Sequence, residues 1–203
     1  MLVPNASSRY KAILIFGPPG SGKGTLGKAL KEDDLYFHLS SGDIFRSLSS
    51  DSPAGQLYHS FAGQGLLLPD DATLKIWHAY VEELILSQQY DPTRQILLLD
   101  GIPRTSIQAE MISNLIEVLH VIVLTIPSPD LLITRMKKRA TLEGRVDDMD
   151  ESILKTRLGI YEKTTKQLLE RYSPHLVTSI NGDQTPESVL QDVKNTLLNI
   201  KAS

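Results

Sequence analysis

An α/β doubly wound fold around a five-stranded parallel sheet is the architecture the sequence predicts, and three observations predict it. Five short runs, Ala12 to Phe16, Leu35 to Leu39, Ile96 to Leu99, Val118 to Ile126 and Leu176 to Ile180, are apolar and rich in strand formers. Most are apolar throughout, as expected of strands buried on both faces of a parallel sheet. Helix-like stretches lie between them. The first run passes through "GPPGSGKGT" into "LGKALKE", a strand, a glycine loop and a helix in that order.

Taken in turn, "AILIF" is the first strand and Gly17 to Thr25 the loop that leaves it. After the second run, Asp70 and Asp71 can cap a helix whose apolar positions Leu74, Trp77, Val81, Leu84 and Ile85 follow the 3.6-residue period. The third run ends in "DGIPRT" and the fourth in "IPSPD". The polar stretch Met149 to Tyr172 reads as helix, and so does the tail from Pro186 to Ile200, with proline in its first turn. A doubly wound sheet gathers its ligand site at the C-terminal strand ends, so the glycine loop, "DGIPRT" and "IPSPD" are expected to converge.

The bulk numbers bound the rest. At 203 residues the chain is the size of one domain with a sizeable core. Hydrophobic residues at 41% and charged residues at 22% are ordinary globular values. No apolar run approaches the roughly 18 residues of a membrane span, so no membrane association is expected. A formal charge of −3 gives no global attraction to nucleic acid, so an anionic ligand must be met locally. Without cysteine, disulfides, zinc–thiolate sites and thiol catalysis are excluded. "MLVPNASSRYK" lacks a basic segment followed by an apolar one, which reads as cytoplasmic.

The glycine loop carries the most specific chemistry. Gly17, Gly20, Gly22 and Gly24 let backbone N–H groups turn inward around a phosphate, helped by the positive end of the next helix. Lys23 adds a point charge for β and γ oxygens. One position departs from the common phosphate-loop pattern GxxxxGK[ST]: Lys23 is followed by Gly24, and the hydroxyl comes one place later, at Thr25.

With that departure the loop resembles the nucleoside monophosphate kinases, in which magnesium is held largely by nucleotide phosphates and water. Four further stretches support the resemblance. "LSSGDIFR" is similar to the opening of the monophosphate-binding segment, which implies that Ser41 sits near the base and Arg46 grips the phosphate; the residues alone also allow a strand end with a helix N-cap at Ser40 or Ser41. "GLLLPDD" resembles the close of that segment, with Leu66, Leu67 and Leu68 lining the base. "DGIPRT" implies that Gly101, Ile102, Pro103 and Arg104 border the acceptor, that Arg104 binds its phosphate, and that Gln108 reads adenine. The family usually has Phe where Ile102 stands. A planar guanidinium matches phosphate oxygens in pairs, as lysine cannot.

"RMKKRATLEGRVDD" places Arg135 and Arg139 on one helix face, four residues apart. The resemblance implies Arg135 over the ATP adenine, and Arg139, Arg145 and Arg157 as a phosphoryl-transfer clamp. Only Ala140 to Gly144 separate Arg139 from Arg145, the short form of the family's lid, with no zinc. Family members commonly place the last arginine eight residues after the second aspartate, whereas Asp148 to Arg157 is nine. Either one residue is inserted or the pairing shifts toward Asp147 and Asp150. "INGDQTPESV" is similar to the last strand and loop, with the backbone near Gln184 at the ATP adenine.

The resemblance is to adenylate kinase, since pyrimidine monophosphate kinases tend to carry Ala in place of Ser41 and Asn in place of Thr105. It implies a small mobile monophosphate-binding insertion at 40–69, a short lid at 139–146, and ATP held by Gly20, Ser21, Gly22, Lys23, Gly24 and Thr25. It also implies Mg²⁺ with Asp100 reaching it through water, no direct metal ligand, small-molecule partners ATP, AMP and ADP, and a monomer. A UMP/CMP kinase and a catalytically silent nucleotide-binding protein stay open as alternatives. Phosphoryl transfer needs positioning and charge neutralisation rather than a protein nucleophile. His38, His59, His78, His120 and His175 lack metal-ligand spacing and read as structural or surface residues. So many cations would repel one another in an empty closed site, so an open ligand-free state is expected.

Overall fold

The computed structural model describes residues 9–145 and 148–201. Residues 1–8 of the stretch read for a leader, and Val146 and Asp147 at the end of the expected lid, lie outside the described residues. Strands β1 (Tyr10–Phe16), β2 (Tyr36–Ser40), β3 (Ile96–Asp100), β4 (Ile116–Thr125) and β5 (Val177–Asn181) form one sheet. Its order is β2-β3-β1-β4-β5, and every neighbouring pair is parallel. The five apolar runs are these five strands.

Two cores flank the sheet because successive strand residues face opposite sides. Ala12, Leu14 and Phe16 of β1, with Leu97 and Leu99 of β3, join Trp77, Val81 and Leu84 of α4 (Asp70–Leu86) on one side. Ile13, Ile15 and Leu98 join Leu26 and Leu30 of α1 (Lys23–Leu30) and Val189, Val193 and Leu197 of α9 (Pro186–Lys201) on the other. A third cluster, Leu132, Met136 and Leu154, ties α6 (Pro129–Glu143) to α7 (Glu151–Ile160).

Helices α2 (Ser41–Arg46) and α3 (Pro53–Ala62) make up most of the 40–69 segment, and α5 (Ser106–Ile112) follows "DGIPRT". The expected lid is largely the last turn of α6, which Gly144 ends in a left-handed cap.

Two local expectations are corrected. Pro69, not an aspartate, holds the N-cap position of α4, and Asp70 and Asp71 lie in its first turn; the side chain of Asp70 is bonded elsewhere. The stretch Met149 to Tyr172 is not one regular helix. After α7 a π-helical turn, Tyr161–Thr165, precedes α8 (Lys166–Leu169). The wider turn shifts the angular positions of the residues after it, and Ile160, Tyr161, Thr164 and Thr165 border the cavity described next.

Candidate active site

A cavity of about 840 Å³ opens at the C-terminal ends of the strands. The loop from Gly17 enters α1 at Lys23. Gly22 holds the N-cap position without a side-chain cap, so the first amides of α1 have no side-chain partner and are suited to an anion. Gly20 has φ +85°, and a Cβ there would meet Leu132 O at 2.8 Å. Only glycine lets the loop press against α6 in that conformation.

Lys23 Nζ donates to the carbonyls of Gly17 at 2.8 Å and Pro18 at 3.1 Å. Desolvation lowers its pKa to about 8; Asp100 opposes the shift, and Arg104, Arg139 and Arg157 add to it. At the end of β3, Asp100 is buried. Burial alone would raise its pKa, but His38 and the charges of Lys23 and Arg104 outweigh burial and lower it. His38 Nε2 stands 3.9 Å from Asp100 Oδ2, beyond hydrogen-bond reach, so its influence on the carboxylate is through space.

The arginines arrive from different elements. Arg104 Nε donates to Gly101 O at 2.8 Å, and its backbone N–H donates to Gln108 Oε1 at 2.7 Å. Arg46 pairs with Asp43 one helical turn away. Arg139 donates through Nε to Asp148 Oδ2 at 2.8 Å, and Arg157 donates to the other oxygen of the same carboxylate. Asp148 is 0% exposed, so its charge is neutralised by two guanidiniums at once. Asp150 caps α7, accepting from the Ser152 amide at 2.7 Å. Across the nine-residue spacing Asp148 is thus the partner of both Arg139 and Arg157, and Asp150 serves the helix instead; Asp147 lies outside the described residues.

Arg145 binds Glu143 at 2.6 Å and stands 3.9 Å from Asp43, which brings the residues after α6 close to α2. Carboxylates interleaved among the cations thus answer the repulsion expected of an empty closed site. Arg135 donates to Gly182 O at 2.9 Å and lies 3.5 Å from Asp183, while Gln184 is held by Asp192 at 2.7 Å.

Gly20, Ser21, Gly22, Lys23, Gly24, Thr25, Arg135, Arg139 and Gln184 border the cavity. So do Arg46, Leu66, Leu67, Leu68, Asp100, Gly101, Pro103, Arg104, Gln108, Arg145 and Arg157. Two expected residues are not among the lining. Ser41 is buried with its hydroxyl donating to Gly101 O at 2.8 Å, which leaves Ser40 as the N-cap of α2. Ile102 is withdrawn into the core beside the α4 cluster, its apolar side chain favouring packing over contact with a polar ligand. Sequence reasoning missed Phe45 and Tyr58, whose rings stack at 5.9 Å and both border the cavity. A single aromatic residue on a short helix carries no sequence signal that separates a binding wall from a core.

Among the described residues no group of three or more His, Cys, Asp or Glu could cage a metal. A single buried carboxylate, Asp100, lies beside the phosphate loop, its Oδ2 3.8 Å from where a Cβ on Gly24 would stand. Those residues fit a cation held mainly by its ligand's phosphates and by water.

A parallel sheet with a glycine loop at its central strand, and guanidiniums brought from α2, the loop after β3, α6 and α7 to one cavity, defines a phosphate-loop protein made to hold polyphosphate ligands. The family model described as "Adenylate kinase" matches residues 15–177. Among curated relatives of that name, the chain is 33% identical to one from Cyanothece sp. over 196 residues, 93% of this chain and 96% of the relative. It is 34% identical to one from Flavobacterium psychrophilum over 195 residues (91% and 98%), and 30% identical to one from Thermus thermophilus over 194 (92% and 97%). This chain belongs to the adenylate kinase family.

Proposed function

We propose that the chain transfers a phosphoryl group reversibly from ATP to AMP, giving two ADP, and so balances adenine nucleotides. What carries the reading is that Lys23 and Arg46, Arg104, Arg139, Arg145 and Arg157 all border one cavity long enough in its lining to reach from the Gln184 loop to Gln108. ATP lies along Gly20 to Thr25 with Arg135 and Gln184 at its base. AMP lies against Arg46, Leu66 to Leu68, Gly101, Pro103, Arg104 and Gln108, with Ser41 and Ile102 supporting that wall from behind. Lys23, Arg104, Arg139, Arg145 and Arg157 set the acceptor oxygen in line and neutralise the charge that develops on the transferring group.

Asp100 would hold Mg²⁺ through its water shell, and the ion, when bound with ATP, would supply charge neutralisation at the phosphates. Arg46, Arg139, Arg145 and Arg157 each hold a carboxylate that must give way to phosphate when ligand enters, which couples binding to movement of the 40–69 segment and of the 139–146 lid. Closure keeps water from the reacting phosphate. We also read the protein as a cytoplasmic monomer without nucleic-acid or membrane partners. A formal charge of −3 supports the lack of a nucleic-acid partner, and among the described residues no helix is long and apolar enough to cross a membrane.

The test is a panel of AMP, CMP and UMP as acceptors with ATP and Mg²⁺ under matched conditions. AMP is expected to be phosphorylated fastest. Faster turnover of CMP or UMP would overturn the acceptor assignment, and no turnover of any acceptor would overturn the activity.

A further inference from the structure

Resting on the reading that AMP is the acceptor and Gln108 meets its base, we propose that Asp70 is a positioning residue that sets acceptor-base specificity by holding the Gln108 carboxamide in one orientation. Gln108 is 2% exposed and borders the cavity. Its Nε2 donates to Asp70 Oδ1 at 2.9 Å, and its Oε1 accepts from the Arg104 backbone N–H at 2.7 Å. A carboxylate can only accept and a backbone N–H can only donate, so these two neighbours admit one flip of the amide and reject the other. The arrangement closes on itself. Thr105 Oγ1 also donates to Asp70 Oδ1, at 2.9 Å, and accepts from the Gln108 backbone N–H at 3.1 Å.

Each bond uses one of two Nε2 protons and one of two Oε1 lone pairs, which leaves one donor and one acceptor, in a set order, for a ligand. Adenine offers a 6-amino donor beside its N1 acceptor. Hypoxanthine has the same shape with the two roles exchanged, a 6-oxo acceptor beside an N1–H donor. An amide free to turn over could serve either base; one locked by Asp70 serves one. Asp70 is well placed for this, because it lies in the first turn of α4, where a carboxylate is favoured, directly after the segment that covers the acceptor. Both donors use the same oxygen of Asp70, so an asparagine carbonyl can replace it.

The experiment compares kcat/KM for AMP with kcat/KM for IMP, at saturating ATP and Mg²⁺, in the wild type, Asp70→Ala and Asp70→Asn. Asp70→Ala should lower the AMP-to-IMP ratio by about tenfold or more, through a raised KM for AMP, with KM for ATP changed by less than about twofold. Asp70→Asn should keep most of the wild-type ratio. A ratio in Asp70→Ala that falls by less than tenfold, or KM values for AMP and ATP that rise together, would overturn the proposal. Wild-type protein that fails to phosphorylate AMP would instead overturn the functional reading beneath it. Should Asp70→Ala not fold, the Gln108 side-chain amide of ¹⁵N-labelled wild type decides: exchange at least about tenfold slower than at the exposed Gln56 supports the lock, and a smaller difference removes it.

Discussion

Arg104 offers the sharpest separation of the two halves of the reaction. Among the described residues Arg46, Arg135, Arg139, Arg145 and Arg157 each form an ion pair with a carboxylate, whereas Arg104 spends only its Nε, on Gly101 O at 2.8 Å. Its two terminal amino groups are thus the pair that can grip a phosphate in parallel. Arg104→Lys replaces five N–H donors on three nitrogens of a fixed fork with a single ammonium, which cannot hold the Gly101 carbonyl and two phosphate oxygens in the same geometry. Losing one charge-assisted hydrogen bond of about 1.5–3 kcal/mol at about 1.4 kcal/mol per tenfold raises KM for AMP by roughly 10- to 100-fold. KM for ATP should move little. Arg139→Ala should instead lower kcat by about 10²–10³ whichever substrate is varied, as removal of a donor to developing charge does. The assay is steady-state turnover coupled to ADP formation, with each nucleotide varied in turn. Equal rises in both KM values, together with similar losses of kcat in the two variants, would refute the division of labour and leave an undifferentiated anion site.

Two further outcomes follow from the phosphate loop. Lys23 has its pKa lowered from 10.5 to about 8 in the folded chain, so the unfolded chain holds this proton more tightly and the lysine's contribution to stability rises with pH between those values. ATP requires the charged form, so calorimetry near pH 8.5 in buffers of different ionisation enthalpy should show proton uptake on binding that Lys23→Ala abolishes; uptake that survives the substitution would refute the assignment. At Gly27 an added Cβ would stand 2.2 Å from the buried His38 ring, so Gly27→Ala should destabilise by about 1–3 kcal/mol, roughly 2–4 °C in Tm per kcal/mol. It should also slow turnover by moving His38 against Asp100, and an unchanged melting curve would show that the ring yields freely.

The sequence by itself determined the strands, the phosphate cradle and the roster of cations. Each of these is local: a strand reads as an unbroken apolar run, and the cradle is built within nine consecutive residues from backbone amides that glycine leaves free to turn. The places of "GPPGSGKGT", "DGIPRT" and "IPSPD" at the ends of their strands already implied that they meet at the C-terminal edge of the sheet. Only the tertiary structure decided which groups answer those cations and which side chains withdraw. Asp148 joins Arg139 to Arg157, Ser41 turns to Gly101 sixty residues away, Ile102 enters the core, and Asp70 leaves its expected capping role to bind Gln108 thirty-eight residues on. Asp70 read as a helix cap because, at the level of sequence, a polar side chain is offered only its near neighbours, and only the resemblance set Ser41 near the base. In the folded chain a buried donor or acceptor must be satisfied by whatever packing brings beside it, and that choice is made by the meeting of distant segments.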